Sequence, residues 1–148
     1  MSPSPWFEHT IRVRYQETDR MGVVYHTNYL NWFEIGRTEL IRSLGMPYSR
    51  IEEDGLLLPL IDAHMQFKLP AKYDDLISIR TRMEQFTHVR LHFESEIRRD
   101  GELLVSGSTK HVWVNRDWKP ARIDKKAPEL YALLLKQFEN ENPENYIS

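Results

Sequence analysis

The sequence predicts a single α+β domain in which an antiparallel sheet covers one long helix. Its 148 residues have the length of one ordinary domain. One stretch near the N-terminus spaces its apolar residues as a helix does, and the stretches after it alternate apolar and polar residues as strands do. Several consecutive strands after a single helix favour an antiparallel sheet with the helix packed on one face.

The chain begins with a short lead-in and a first strand. Residues 1–6 contain two prolines and two serines, so we expect them to be unstructured. Residues 7–15 alternate, with Ile11, Val13 and Tyr15 pointing to one face, which predicts a strand.

A helix of about five turns follows a charged turn. Thr27 or Asn28 could cap its start, and Gly45 followed by Pro47 marks its end. The helical spacing is carried by Tyr29, Phe33, Gly36, Leu40 and Leu44.

The pattern then changes to a period of two. Residues 48–55 form a link, residues 103–114 form the last strand, and the Asp100-Gly101 pair before it predicts a hairpin turn. The apolar positions of the three preceding strands are Ile61, Ala63, Met65 and Phe67; Ile77, Ile79, Thr81 and Met83; and Val89, Leu91, Phe93 and Ser95. Residues 127–138 predict a short amphipathic helix, and we expect residues 139–148 to be loose.

Composition excludes several classes of function. The chain has no cysteine, which rules out a disulfide scaffold, a thiolate metal site, an iron–sulfur cluster and a cysteine nucleophile. A net charge of −2 gives no overall attraction to nucleic acid or to an anionic membrane. No apolar stretch is long enough to span a bilayer and no secretory leader is visible, so we expect a cytoplasmic protein.

The residues suited to chemistry are concentrated between the first strand and the long helix, where Glu17, Asp19, Tyr25 and His26 lie. A carboxylate in such a loop can act as a nucleophile or general base. Unpaired amides at the start of the helix could stabilise an oxyanion, an arrangement suited to acyl transfer. On spacing alone, the more common arrangement is structural, with Asp19 capping the turn and His26 packed in the loop.

The segment YQETDRMGVVYHTNYLNWFEIGRTELIR, residues 15–42, resembles the opening motif of the 4-hydroxybenzoyl-CoA thioesterase family. The likeness is to its branch of short acyl-CoA thioesterases typified by the Tol–Pal-associated bacterial enzyme. PAKYDDLI, residues 70–77, resembles the second signature of the family. The resemblance covers nearly the whole chain and implies one hotdog domain over residues 1–148, with a sheet wrapped around a long central helix.

The resemblance also implies roles for individual residues. Asp19 matches the catalytic carboxylate, acting as nucleophile or general base on a thioester. His26 matches the motif histidine, and its backbone N–H matches the amide that polarises the thioester carbonyl. The substrate-binding set is Tyr15, Gly22, Tyr25 and Asn28, with Gly22 acting through the turn and Asn28 at the helix entry. Neither a metal nor a cofactor is implied, because coenzyme A is part of the substrate.

Other candidate residues favour structural roles. Glu34 and Arg37 are three residues apart on the helix and could pair. His88 and His92 are assigned to one face of a strand. This position favours an outer sheet face or a subunit contact over metal binding. Trp32, Trp113 and Trp118 suit a core or an interface. Basic residues that could hold coenzyme A phosphates, or form a solvated face, are Lys72, Arg80, Arg82, Arg98, Arg99 and Lys110.

Three functions remain open at this point. The first is an acyl-CoA thioesterase, the second is a hotdog hydratase or dehydratase, and the third is a non-catalytic module that binds acyl-CoA or an acyl carrier. The acyl group is not specified by the sequence. The resemblance implies a homodimer, commonly doubled to a homotetramer, with sites between subunits. The net charge and the lack of a long apolar stretch predict no nucleic-acid or membrane partner.

Overall fold

The computed structural model describes residues 3–139. A single 3₁₀ turn, Tyr15–Glu17, follows the first strand. The helices are α1 (Thr27–Ser43), α2 (Tyr48–Glu53), α3 (Ile123–Lys126) and α4 (Pro128–Glu139). The strands are β1 (Phe7–Arg12), β2 (Leu60–Phe67), β3 (Leu76–Phe86), β4 (Arg90–Arg99) and β5 (Glu102–Val112).

The five strands form one antiparallel sheet in the order β1-β3-β4-β5-β2. Helix α1 packs on one face of it, against β1, β3 and β4. Alternate residues of β3 and β4 point towards α1 and are buried, as the period of two requires. The predicted α+β architecture is confirmed.

Close contact between α1 and the sheet depends on Gly36. A Cβ atom at this position would collide with Thr81 Oγ1 and Ile79 Cγ2 of β3. The missing side chain therefore allows the helix backbone to lie directly on the centre of the sheet.

The buried side chains form two groups along α1. The helix-start cluster contains Val13, Val24, Tyr29, Trp32, Phe33, Ala71, Ile77, Ile79, Ile97, Leu104 and Val105. The helix-end cluster surrounds Leu40 and Ile41 and includes Leu58, Trp113, Leu130, Leu134 and Phe138. Two of the predicted core tryptophans, Trp32 and Trp113, are fully buried, whereas Trp118 is 67% exposed.

The N-terminal lead-in is partly docked, contrary to the expectation of a loose end. Ser4 exchanges hydrogen bonds with the backbone of Met83, and its N–H donates to the Met83 carbonyl at 2.8 Å. The Trp6 ring lies beneath the guanidinium groups of Arg80 and Arg82. This segment therefore covers part of the outer face of the sheet.

Several local predictions were wrong. Residues 48–55, predicted to be a link, contain helix α2. Tyr15 does not continue the buried face of β1, because the chain leaves the sheet after Arg12 and turns. His26 occupies the N-cap position of α1, so neither Thr27 nor Asn28 does. The predicted loose tail, residues 139–148, lies outside the described residues apart from the backbone of residue 139.

Strand β2 is unusual because it lies at the edge of the sheet and buries neither face. Met65 is half-buried and the other residues of the strand are exposed. The exposed side chains include Leu60, Ile61 and Phe67. Within residues 3–139, no helix has the length and apolar character needed to cross a membrane.

Candidate active site

The loop between β1 and α1 is held by Glu17, whose side chain is only 9% exposed. One carboxylate oxygen accepts the Arg14 backbone N–H at 2.8 Å, and the other accepts the indole N–H of Trp32 at 2.8 Å. The Glu17 carbonyl accepts the Tyr25 backbone N–H and the Asn28 side-chain amide, each at 2.9 Å. The side chain and the carbonyl of Glu17 thus connect both ends of the loop to helix α1.

Asp19 lies in a tight turn within this loop. Its Oδ1 accepts the Met21 backbone N–H at 2.8 Å, and its carbonyl accepts the Gly22 N–H at 3.1 Å. Gly22 has φ of +81°, a conformation that favours glycine. Among the described residues, Oδ2 has no hydrogen-bond partner, which leaves one carboxylate oxygen free for a substrate or water.

The start of α1 lies beside this carboxylate. His26 caps the helix with helical backbone angles and makes no side-chain capping bond. The Asn28 N–H donates to the Tyr25 carbonyl at 2.9 Å, and the Tyr29 N–H donates to the His26 carbonyl at 3.3 Å. Among the described residues, the N–H groups of His26 and Thr27 have no backbone acceptor, and the helix dipole places partial positive charge there. This end of α1 can therefore stabilise negative charge that develops on a bound carbonyl oxygen.

Asp19 and His26 share the wall of one cavity of about 280 Å³. Its other walls come from the loop, from Tyr29 of α1 and from the segment that follows β2. The additional lining residues are Met21, Val23, Val24, Tyr29, Phe67, Lys68, Leu69 and Pro70.

The second signature segment fixes the distance between these walls. Ala71 accepts the Val24 backbone N–H at 2.8 Å through its carbonyl and donates its own N–H to the Tyr29 hydroxyl at 3.0 Å. Burial is the main cause that raises the pKa of Tyr29. The tyrosine therefore remains a neutral structural partner of the cavity wall.

The predicted substrate-binding residues lie around the cavity, but none of the four lines it. Tyr15 is 78% exposed and packs edge-on against Tyr73. Tyr25 is 46% exposed and its ring lies 4.5 Å from that of His26. Gly22 forms the Asp19 turn and Asn28 binds the Glu17 carbonyl. Their contact with substrate stays a prediction.

Sequence reasoning missed three residues of this region. Tyr29 was assigned to the apolar spacing of the helix but forms part of the cavity wall, and Lys68 was not considered. Glu17 was noted only as a loop carboxylate. In the sequence, Lys68 stands two residues before the second signature, which could have pointed to the site. Glu17 stands before the loop and Trp32 lies in the helix after it, which could have pointed to a contact between them.

Most of the basic residues proposed for phosphate binding are engaged by carboxylates. The ion pairs are Arg80–Glu96, Arg82–Glu94, Arg98–Glu96, Arg99–Asp75 and Arg99–Glu102. Within residues 3–139, Lys72 and Lys110 make no such pair. The arginines therefore mainly form a charge ladder on the outer sheet face and its edge.

Two further predictions about charged and histidine residues were wrong. Arg37 does not pair with Glu34, since its guanidinium lies instead beside His111 and the Phe93 ring. His88 precedes β4 and contacts Arg122, so it does not share a strand with His92. Burial is the main cause that lowers the pKa of His92.

Comparison with known proteins gives consistent results. Residues 13–135 match the sequence profile described as the Thioesterase-like superfamily. A Bacillus subtilis (strain 168) protein, provisionally named an acyl-CoA thioesterase, is 38% identical over 121 residues, covering 80% of this chain and 88% of that protein. An acyl-CoA thioesterase of Haemophilus influenzae is 32% identical over 110 residues, covering 74% and 81%. The structure of a DHNA-CoA thioesterase from Staphylococcus aureus superposes with a TM-score of 0.85 and 34% identity, covering 88% of this chain and 89% of that one.

Proposed function

The chain belongs to the thioesterase-like superfamily and has its hotdog fold, and on this premise we propose that it hydrolyses acyl-CoA thioesters to a free acid and coenzyme A. The observation that carries the proposal is the position of Asp19, which lines a cavity beside the start of α1 and has one carboxylate oxygen without a hydrogen-bond partner among the described residues. Membership of the 4-hydroxybenzoyl-CoA or Tol–Pal-associated branch is part of the same proposal.

Asp19 can act in either of two ways. As a general base, it takes a proton from water while the oxygen of that water bonds to the thioester carbon. As a nucleophile, it bonds to that carbon itself and forms an anhydride that water then hydrolyses. In both routes the carbon–sulfur bond breaks and coenzyme A leaves as its thiolate, a good leaving group.

The start of α1 supplies the second part of the mechanism. We assign the backbone N–H of His26, at the N-cap of α1, as the donor to the oxyanion formed from the thioester carbonyl. Since the helix dipole favours negative charge at this end, the oxyanion is stabilised without a metal. We therefore expect activity to persist after treatment with a metal chelator.

Lysines near the mouth of the cavity are suited to the phosphates of coenzyme A. Lys68 lines the cavity, and Lys72 is bridged to Val23 of the Asp19 loop. Both are exposed, so their ammonium groups can meet a phosphate without breaking an ion pair. They replace the paired arginines as the leading candidates for this role.

We also propose that two copies associate through β2. This edge strand presents unpaired backbone groups together with exposed Leu60, Ile61 and Phe67. Antiparallel pairing of β2 with its copy would extend the sheet and cover those side chains. Light scattering at micromolar concentration tests this, and a monomer would contradict it; a tetramer would indicate further association of dimers.

The activity itself is tested with a panel of aliphatic and aromatic acyl-CoAs and a reagent that detects the released thiol. We expect Asp19→Asn to lower kcat by about 100-fold or more, the usual effect of losing a general base. Asp100→Asn is the matched control, because Asp100 lies exposed in the β4–β5 turn at a φ of 51°, which asparagine tolerates.

Three results would argue against the proposal. Absence of turnover across the panel would do so, as would full activity of Asp19→Asn. Thermal stabilisation by coenzyme A without product would indicate a binding module instead. Hydration or dehydration of the acyl chain without thiol release would indicate the other hotdog reaction.

A further inference from the structure

A second cavity, of about 350 Å³, lies beside the C-terminal half of α1. Its walls are formed by α1, by α2 and by the segment that precedes β2. Arg37 and Tyr48 contribute the polar part of the wall, and Leu58 and Trp118 contribute apolar surface. None of the residues discussed above as part of the Asp19 site lines this cavity, which we call the Arg37 cavity.

The charge of Arg37 is not neutralised by the protein around it. Its Nη1 lies 3.3 Å from Nε2 of His111. Burial lowers the pKa of His111 to about 3, and the charge of Arg37 adds to this effect, so the imidazole is neutral. Among residues 3–139, no carboxylate oxygen lies within 4.0 Å of the Arg37 guanidinium.

The neighbours of His111 fix the orientation of this pair. Arginine can only donate, so Nε2 of His111 must accept and the ring proton must be on Nδ1. Nδ1 lies 3.4 Å from the Leu58 carbonyl, its acceptor, and Nε2 is also 2.9 Å from the Thr109 hydroxyl. The Nη1 side of the guanidinium is thereby held in place by His111. The opposite edge, formed by Nε and Nη2, is left for another group.

Two buried donors remain without partners here. Arg37 Nε and the Tyr48 hydroxyl are both buried, and neither makes a hydrogen bond of good geometry with the described part of the chain. Burial raises the pKa of Tyr48 to about 12, so the hydroxyl keeps its proton. The guanidinium of Arg37 nevertheless lies close enough to the Tyr48 hydroxyl to oppose this rise of its pKa. An unpaired buried donor is costly, which makes both groups available to an incoming acceptor.

From these contacts we propose that the Arg37 cavity binds a carboxylate group. The Nε–Nη2 edge of Arg37 has the forked geometry that holds both oxygens of a carboxylate, and the Tyr48 hydroxyl supplies a third donor. Leu58 and Trp118 offer apolar surface to the carbon chain that bears the carboxylate. Glu34 and Glu52 are exposed members of the same wall and oppose an anion there, so the carboxylate must be held by direct contact with Arg37.

This carboxylate has two possible sources, a free carboxylic acid or the far end of a dicarboxylic acyl group. Within one chain, Tyr29 and Arg37 are separated by about 12 Å along α1, too far for a short acyl chain to join the two cavities. The two cavities also lie at opposite ends of β2, at 67–70 and 57–59. In the proposed antiparallel dimer, those ends face each other across the two-fold axis.

The acyl source follows from that geometry and rests on the proposed function. The thioester of a dicarboxylic acyl-CoA would lie at Asp19 of one protomer, and its far carboxylate would reach the Arg37 cavity of the other. With this dimer we expect a preference for adipoyl-CoA over hexanoyl-CoA, which has the same number of acyl carbons and no far carboxylate.

The test compares the kcat/KM values of adipoyl-CoA and hexanoyl-CoA for the unsubstituted protein and three variants. We expect Arg37→Gln to lower the adipoyl-to-hexanoyl ratio by about tenfold or more, and Tyr48→Phe to lower it by about threefold. Arg42→Gln is the matched control on the same helix, because Arg42 is exposed and paired with Glu39. Circular dichroism melting checks that each variant is folded. If Arg37→Gln is unstable, Tyr48→Phe still tests the proposal, because it removes only one hydroxyl group.

A calorimetric titration with adipate separates the two sources. Saturable adipate binding that Arg37→Gln abolishes, with an unchanged acyl-CoA ratio, assigns the cavity to a free acid. An Arg37-dependent ratio assigns it to the substrate. If neither quantity depends on Arg37, or if 6-hydroxyhexanoyl-CoA is preferred as strongly as adipoyl-CoA, the carboxylate assignment is wrong. If no acyl-CoA is hydrolysed, the proposed function fails and the adipate titration alone decides.

Discussion

The buried carboxylate of Glu17 holds the Asp19 loop against the core through two short hydrogen bonds, and Glu17→Gln tests its contribution. The carboxylate accepts from Arg14 and from Trp32, each at 2.8 Å. A glutamine side chain has one carbonyl oxygen, so its NH₂ group would face one of these two donors. Loss of one hydrogen bond to a buried charged group costs about 1.5–3 kcal/mol.

This cost is large enough to measure by urea unfolding. For a domain of this size it corresponds to a decrease in Tm of about 3–12 °C. A double-mutant cycle with Trp32→Phe isolates the indole bond, and we expect a coupling free energy of about 1.5–3 kcal/mol. All four proteins must be compared at one protomer concentration, because association contributes to apparent stability. A coupling below about 0.5 kcal/mol, within which independent sites usually agree, would mean that the amide keeps the Trp32 bond and loses the Arg14 bond. The same small coupling with no loss of stability in Glu17→Gln itself would refute the reasoning.

Three other predictions concern packing, binding and pH. Gly36→Ala should cost about 1–3 kcal/mol in urea unfolding, because the added methyl group collides with β3, and an unchanged unfolding midpoint would contradict the observed packing. Lys68→Ala should raise KM for acyl-CoA about two- to fivefold at low salt, whereas Lys136→Ala on α4 should not; equal effects would remove Lys68 from the phosphate site. The pKa of His111 falls from 6.5 to about 3 on folding, so the unfolded chain binds the extra proton between these values. Stability should therefore decrease as pH falls through 6.5 towards 3, and His111→Gln should flatten this dependence; an equally steep decrease in the variant would exclude His111 as its source.

The central fold was predictable because burial in it follows local periodicity. Ile77, Ile79 and Met83 are buried in β3 as their alternation indicated, and α1 ends before Gly45. Helix α2 was missed because six residues are too few for a helical period to show. In β2, the alternation led us to expect one buried face, but the single chain leaves both faces exposed.

The site was predictable only where a contiguous motif carries it. Asp19 and His26 lie within one loop, and the motif identified both. Phe67 ends strand β2 and Lys68 follows it, and only the pairing of this strand with β5 brings the two residues to the cavity. The Arg37 cavity was missed for the same reason, because His111 and Tyr48 meet Arg37 from separate elements.

The division of the core into two clusters has a consequence for hydrogen exchange. Helix α4 contributes Leu130, Leu134 and Phe138 to the helix-end cluster, whereas the Asp19 loop is anchored to the helix-start cluster through Trp32. Separate clusters can open as separate cooperative units. The amides of α4 can therefore exchange with solvent in openings that leave the Asp19 turn and the first turn of α1 protected, so that fluctuations at the end of the chain do not interrupt the candidate active site.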